Sequence, residues 1–197
     1  MQDKNQTRTN RARTEATQLA LLEAARGFFS TKGYAETSTP EVVRAAGITR
    51  GALYHHYEGK AALFRAVVTA EFTAVAAHIE AVSQKGEGQG LEALQLGARG
   101  YLDAMQVEGR VRIMLLDGPA VLGRAALERI DRDTSGDTLR VGLQVAIEQQ
   151  HIKTLPLDAL TAQLSALFDR AALSIFEGAR AEDHLAVIDA LILSLRT

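Results

Sequence analysis

The sequence contains no cysteine, which excludes disulfide scaffolds, thiolate metal sites and cysteine nucleophiles together. Tryptophan is absent as well, and only three prolines, Pro40, Pro119 and Pro156, interrupt 197 residues. Runs of β-branched residues alternating with period two are missing, while Ala, Leu, Glu, Gln and Arg dominate, so an all-α chain is expected. No uninterrupted apolar run approaches the ~20 residues that span a bilayer, and Met1 to Arg13 is polar rather than signal-like. A cytoplasmic location and no membrane partner are therefore expected. A large charge of one sign is lacking too: 22 Lys plus Arg oppose 24 Asp plus Glu, a formal net charge of -2. That balance argues against a histone-like or polybasic protein.

What is present is an ordinary globular composition, 47% hydrophobic and 23% charged, rich enough in apolar residues for a packed core. The charge is unevenly placed. Met1 to Arg65 holds 10 basic and 6 acidic residues, whereas Ala66 to Thr197 holds 12 and 18. A basic head on an acidic body suggests that the head alone meets a polyanion.

Residues 1–13, with Lys4, Arg8, Arg11 and Arg13 among Asn, Gln and Thr, carry no apolar stripe and are expected as a flexible basic arm. A first helix is expected over about 14–32, where Leu21, Ala24, Ala25, Phe28 and Phe29 recur at helical spacing before Gly33. Ser38-Thr39-Pro40-Glu41 reads as a capping box with proline in the first turn, opening a short helix over about 39–46 that ends at Gly47. Thr49 caps another over about 50–56. Two short helices joined by a glycine turn form the pattern of a helix-turn-helix. A long helix over about 60–84 shows an apolar stripe of Leu63, Val67, Ala70, Ala74, Val75, His78, Ile79 and Val82, and stops at a glycine-rich connection over 85–90. Further helices are expected at about 91–107, 109–117, 120–133 and 136–152, then an antiparallel pair over 157–179 and 182–195. The domains are thus the arm 1–13, a DNA-binding unit 14–59 and a C-terminal unit 60–197.

The third helix concentrates the chemistry. Thr49, Arg50, Gly51, Tyr54, His55 and His56 crowd hydroxyl, guanidinium, phenol and imidazole groups onto two turns, leaving Leu53 and Tyr57 as the buried side. Such a helix fits a major groove: hydroxyls and the N-terminal amides suit phosphate, Arg50 suits a guanine edge or a phosphate, and Gly51 and Ala52 allow close backbone approach. Gly47-Ile48-Thr49-Arg50-Gly51-Ala52-Leu53-Tyr54-His55-His56-Tyr57-Glu58-Gly59-Lys60, preceded by Ala24-Ala25, Phe28-Phe29, Gly33-Tyr34 and Thr37-Ser38, resembles the DNA-binding domain of TetR-family transcriptional repressors. The resemblance covers Leu21 to Leu63; Leu116 to Pro119 is also similar to one of the family's C-terminal subgroups. Departures are Val42-Val43 for the usual Ile-Ala, Tyr57 for Phe, Gly59 at a capping position and Ala61 for a common Glu. None removes a DNA-contacting group.

At matching positions the resemblance implies phosphate contacts from Ser38, Thr49, Tyr54, His55 and Lys60, and groove contacts from Arg50, Gly51 and Ala52; Arg44 would add another phosphate contact. It also implies an effector pocket in the C-terminal helices and a homodimer built by the last two. Polar breaks in apolar stripes nominate His78, Tyr101, Gln144 and Asp169, with Met105, Met114 and Phe168 beside them, for a hydrophobic or aromatic effector. Surplus apolar surface nominates Leu160, Leu164, Leu167, Ile175, Leu185, Ile188, Leu191 and Ile192 for dimerisation.

Enzymatic chemistry finds little foothold. His55 and His56 splay about 100° apart on a helix, His78, His151 and His184 are scattered, and no phosphate loop follows a strand. No enzyme activity, metal or cofactor is expected. The function expected is a repressor that binds a pseudo-palindromic operator as a homodimer and is released by a small molecule. The alternatives are an activator on the same scaffold, or a ligand-binding regulatory dimer acting through protein contacts without operator binding.

Overall fold

The computed structural model describes residues 3–85, 90–134 and 136–197. Among them it has ten α-helices, one π-helical segment and, in place of strands, a single isolated bridge between Ile152 and Arg196. The all-α expectation holds. The glycine-rich residues 86–89 and the break expected at Ser135 lie outside the described residues.

Helix α1 spans Asp3–Glu36, with the backbone leaving helical geometry at the expected stop, Gly33, whose φ is 82°. Its start differs from the expectation: residues 3–13 continue the helix instead of forming a separate arm. Neither proline nor glycine occurs before Gly27, so a helix fixed by packing further along propagates back through these residues at little cost. Helices α2 (Thr39–Ala45) and α3 (Arg50–His56) follow, joined through Gly47 at φ 66°. Leu21, Ala25 and Phe29, four residues apart on α1, meet Val42 of α2 and Leu53 of α3 in one buried cluster. Leu63, Phe64, Val67 and Val68, from the first turns of α4 (Lys60–Lys85), complete it. The Phe64 ring packs edge-on against Phe29 and Tyr34 at centroid distances of 5.0 and 4.9 Å. The head therefore folds around α4, and its core runs past residue 60.

The rest of α4 serves the body. Val75 joins the second core while Phe72 packs against both. Lys60–Ser83 is long and apolar enough by composition to cross a membrane, but here it is the shared core helix of two clusters. Its buried face matches the expected stripe in part: Leu63, Val67 and Val75 are buried, but Ala70, Ala74 and His78 are exposed, and Phe64, Val68 and Glu71 point inward beside them. The small residues form one i, i+4 line, and the bulkier side chains on the opposite lines determine which side packs.

The body comprises α5 (Leu91–Met105), the π-helical segment Arg112–Asp117, α6 (Gly118–Leu122), α7 (Arg124–Thr134), α8 (Gly136–Glu148), α9 (Leu157–Phe176) and α10 (Ala181–Ser194). Leu94, Leu102, Met105, Met114, Leu143, Leu164, Phe168, Ile188 and Ile192 form its core. Two expectations change here. The helix placed at 109–117 is π-helical over 112–117, and the one placed at 120–133 is divided by Gly123 at φ 78°. Pro119 stands two residues past the end of the π segment; it has no N–H for the carbonyl of Leu115, and the Gly118 amide donates to Ile113, five residues back.

Head and body meet along a polar seam. Glu71, 4% exposed, accepts from Arg26 Nε of α1 and from Arg110 Nε of the body, each at 2.5 Å. Arg110 also donates to the Ala104 carbonyl at 2.6 Å, and Arg26 to the Glu108 carbonyl at 3.3 Å. Beside them Gly109, at φ 76°, lies so close to α1 that a Cβ there would fall 2.1 Å from Ser30 Cβ and 2.6 Å from its Cα.

Two glycines of this region should therefore respond oppositely to alanine. Gly109→Ala, strained at positive φ and clashing with backbone, should cost roughly 2–4 kcal/mol. Gly27→Ala, in exposed helix with nothing within 4 Å of the added methyl, should gain about 0.5–1 kcal/mol. Urea denaturation of the two variants measures both.

Candidate nucleic-acid interface

Helix α3 is held from below and open above. Leu53 is fully buried, while Thr49, Arg50, Gly51, Tyr54 and His55 are exposed and Ala52 and His56 half-buried. Thr49 caps the helix by accepting the Ala52 amide at 3.2 Å, which leaves its own O–H to donate outward. Arg50 and Tyr54, one turn apart, form a pair: the guanidinium donates to the phenol oxygen at 3.5 Å and lies 5.5 Å from the ring centroid. Hydrogen bonds with Arg50 first and Thr39 second lower the Tyr54 pKa below the usual phenol value. The long Arg50 side chain is thereby ordered along its own helix before any partner arrives. His55 packs edge-on against His56 at 5.2 Å. Arg44, in the last turn of α2, is exposed as well.

Two residues expected to meet phosphate make hydrogen bonds inside the head. The Lys60 ammonium donates to the carbonyls of Tyr34, Ala35 and Thr37 at 2.8, 3.3 and 2.8 Å, and sits 4.2 Å from the Tyr34 ring centroid. Its three protons are thus engaged at the C-terminal end of α1, where free carbonyls and the helix dipole favour a cation. The Ser38 hydroxyl donates to Glu41 Oε2 at 2.7 Å, and the same oxygen accepts the Ser38 amide at 3.1 Å. Glu41 is further paired with Lys32 at 2.7 Å. Lys32 first, then Ser38, lower its carboxyl pKa to about 2. A phosphate approaching Ser38 would compete with that carboxylate.

The candidates in the body separate into two groups. Met105, Met114 and Phe168 are buried in the body core, and the Tyr101 hydroxyl donates to Asp169 Oδ1 at 2.6 Å between α5 and α9. Burial raises the pKa of both groups, most strongly that of Tyr101; the Asp169 carboxyl is drawn partly back by Tyr101 and Arg124. His78 and Gln144 lie elsewhere: His78 is exposed on α4, and Gln144 is exposed and donates to Glu148 at 2.8 Å. Neither faces that core. A cleft of about 470 Å³ lies apart from all seven candidates, between Leu91, Gln95, Gln150, His151 and Leu193. Of the dimerisation candidates, Leu164, Ile188 and Ile192 are consumed by the chain's own core. Leu191 is exposed, and Leu160, Leu167, Ile175 and Leu185 are half-buried. Phe176 at 50% and Val187 at 56% exposure extend that apolar surface.

The seam residues Arg26, Glu71, Arg110 and Asp117 were also missed. Glu71, flanked by apolar residues of α4, was the available signal; its two arginines stand 45 and 39 residues away, and no periodicity connects them.

Comparison with known proteins agrees with this geometry. The family model of bacterial regulatory proteins, tetR family, matches residues 21–67, and that of the tetracyclin repressor-like C-terminal domain matches residues 91–195. The transposon Tn10 TetC protein of Escherichia coli is 26% identical over 168 residues, covering 85% of this chain and 83% of its own. The regulator AcrR of Shigella flexneri is 39% identical over 57 residues, 29% of this chain and 26% of its own. A solved structure of a TetR-family transcriptional regulator from Pectobacterium atrosepticum superposes with a TM-score of 0.76 at 31% identity, covering 95% of this chain and 97% of its own.

The internal role of Lys60 separates two measurements. Lys60→Ala should lower stability by roughly 1–3 kcal/mol, and leave the salt dependence of DNA affinity unchanged; a phosphate contact would instead reduce the slope by about one. For Glu41, a folded pKa of about 2 against 4.5 stabilises the head fully above pH 4.5, and that contribution fades as pH falls toward 2. Glu41→Gln should accordingly flatten the stability profile over that window in acid titrations followed by circular dichroism.

Proposed function

The chain belongs to the tetR family of bacterial regulatory proteins, and on that premise we propose that it is a transcriptional repressor, active as a homodimer on a pseudo-palindromic operator and released by a small molecule. Family members are DNA-binding regulators rather than enzymes. The observation that carries the reading is the exposed polar face of α3, where Thr49, Arg50, Tyr54 and His55 stand outward over a helix anchored by Leu53. In this reading Thr49, Tyr54, His55 and Arg44 hold phosphates, Arg50 reads a base edge, and Gly51 and Ala52 let the helix backbone approach the groove. Ser38 and Lys60 act one step back, by fixing the ends of α1 and α2.

Two heads are needed for a palindrome. The apolar surface of Leu160, Leu167, Ile175, Phe176, Leu185, Val187 and Leu191 supports pairing of α9 and α10 with a second copy, which would place recognition helices in successive major grooves about 34–36 Å apart. The effector reading rests on Tyr101, Asp169, Met105, Met114 and Phe168, whose apolar surroundings with a single hydroxyl-carboxylate pair suit a hydrophobic or aromatic molecule. A ligand favouring one head spacing over another must change operator affinity by linkage. Action on the operator puts the protein in the cytoplasm.

The test is a gel shift against DNA flanking the protein's own gene at two salt concentrations, followed by selection from a randomised operator pool. The wild-type chain should retain a sequence-specific complex at the higher salt, and Arg50→Ala should relax preference at one position per half-site, with a loss of about 1–3 kcal/mol for the preferred base. No complex at either salt would refute the repressor reading; uniform weakening across the pool would make Arg50 a backbone contact.

A further inference from the structure

We propose that the cleft between the start of α5, the turn after α8 and the end of α10 binds a small zwitterion of the α-amino-acid type with an aliphatic side chain. It is a place other than the Tyr101–Asp169 pair, and the inference does not depend on operator binding. The cleft holds about 470 Å³, within the range of roughly 300–1,000 Å³ usual for small-molecule sites. Backbone bonds fix its walls. Ile152 and Arg196 pair as an antiparallel bridge, the Lys153 amide donates to the Leu195 carbonyl at 2.8 Å, and the Thr197 hydroxyl donates to the Gln150 carbonyl at 3.0 Å. On the α5 side, Gly90 stands at φ 63°, and a Cβ there would fall 2.3 Å from His151 Nδ1, so the imidazole packs directly on the chain entering that helix.

The polar side chains lining this cleft are not spent on the protein itself. Among the described residues, those of Glu92, Gln150, His151 and Arg196 have no hydrogen-bond or ion-pair partner, although Glu92 and Arg196 bring opposite charges to the same cleft. By contrast, Arg99, Arg140 and Arg170 of the body are paired with Asp189, Asp158 and Glu177. Two opposite charges held apart on one cleft complement a molecule that carries both: its carboxylate accepts from the Arg196 fork, and its ammonium donates to Glu92. Glu92 stands in the first turn of α5, where the helix dipole favours its charged form. The Nδ1 of His151 is buried without a partner, so Nε2 is the ring nitrogen open to a ligand. Leu91 and Leu193 supply the apolar lining, which suits an aliphatic side chain.

Backbone strain marks the same place. Gln150 is the one residue other than glycine at positive φ, 59°, among the described residues. It occupies the left-handed position that closes α8, with its own amide on the Ile147 carbonyl and the His151 amide on that of Ala146, each at 2.9 Å. Glycine fills such a position without strain, as Gly33, Gly47, Gly109 and Gly123 do at other breaks in this chain. Here a glutamine is carried at a conformational cost, and its side-chain amide lines the cleft. That amide offers both a donor and an acceptor, which a zwitterion uses at its two ends.

The experiment titrates the full chain, labelled at its leucine and methionine methyls, with L-leucine, with 4-methylpentanoate, which lacks the ammonium, and with 3-methylbutylamine, which lacks the carboxylate. In NMR spectra L-leucine should shift the Leu91 and Leu193 methyls saturably, with a Kd on the order of 1 mM, and leave those of Met105 and Met114 in place. It should bind at least about tenfold more tightly than either half-molecule. Arg196→Gln should weaken L-leucine and 4-methylpentanoate about tenfold and leave 3-methylbutylamine unchanged, while Glu92→Gln should weaken L-leucine and 3-methylbutylamine and spare 4-methylpentanoate. Gln150→Gly should weaken L-leucine several-fold without lowering the urea midpoint, a combination that loss of a merely structural side chain does not produce. No saturation below about 20 mM, or shifts confined to Met105 and Met114, overturns the site. Equal affinity for L-leucine and 4-methylpentanoate, or L-leucine affinity retained in both charge variants, overturns the zwitterion assignment. No DNA enters the measurement, so failure of the repressor reading leaves its outcome untouched.

Discussion

Glu71 is a carboxylate 4% exposed in the middle of a long apolar helix, held on both oxygens by guanidinium groups from opposite sides. A buried charge of this kind is costly unless both its desolvation and its remaining lone pairs are answered, and breaking one partner of such a pair typically costs about 3–5 kcal/mol. The triad need not add net stability over an apolar replacement. What it fixes is position, because only one placement of α1 and of the Arg110 turn on α4 satisfies both arginines. Around that fixed point the other seam contacts fall into place: Gly109 against Ser30, Asp117 on the Tyr34 amide, Lys60 on the Tyr34 carbonyl.

The parts of the fold legible in the sequence are those governed by neighbours along the chain. Helix α3 runs from Arg50 to His56, opened by its Thr49 cap, and Gly33 and Gly47 break the chain where their positive φ values are needed. The exposed polar face of α3 was legible for the same reason: residue types and i, i+4 spacing on one short helix determine which groups stand together. Long-range facts were not legible. The partners of Lys60, carbonyls at the end of α1, are among them, since a polar group at a motif position looks alike whether it faces DNA or a helix end. His78 and Gln144, taken as polar breaks in apolar stripes, lie on the exposed sides of their helices. The π segment was hidden by a proline that usually marks only a helix start.

The nearly neutral charge also resolves into geography. The positive excess of the first 65 residues includes Arg44 and Arg50 on the open face of the head, but also Arg26, Lys32 and Lys60, which are spent on internal carboxylates and carbonyls. The field presented to a polyanion is therefore weaker than the count of basic residues indicates.

The close contact of Gly109 with Ser30 limits how this architecture can be recombined. A chimera that takes its head from one relative and its body from another must match a residue without a side chain to a helix surface small enough to receive it, and must bring Arg26, Glu71 and Arg110 together from both donors and from the helix between them. Such a graft fails unless all of these are exchanged as a set. Substitution at Arg50, Tyr54 and His55 touches none of them. The outer face of α3 is thus open to change by point mutation, while wholesale shuffling of heads is closed off by the fit at their base.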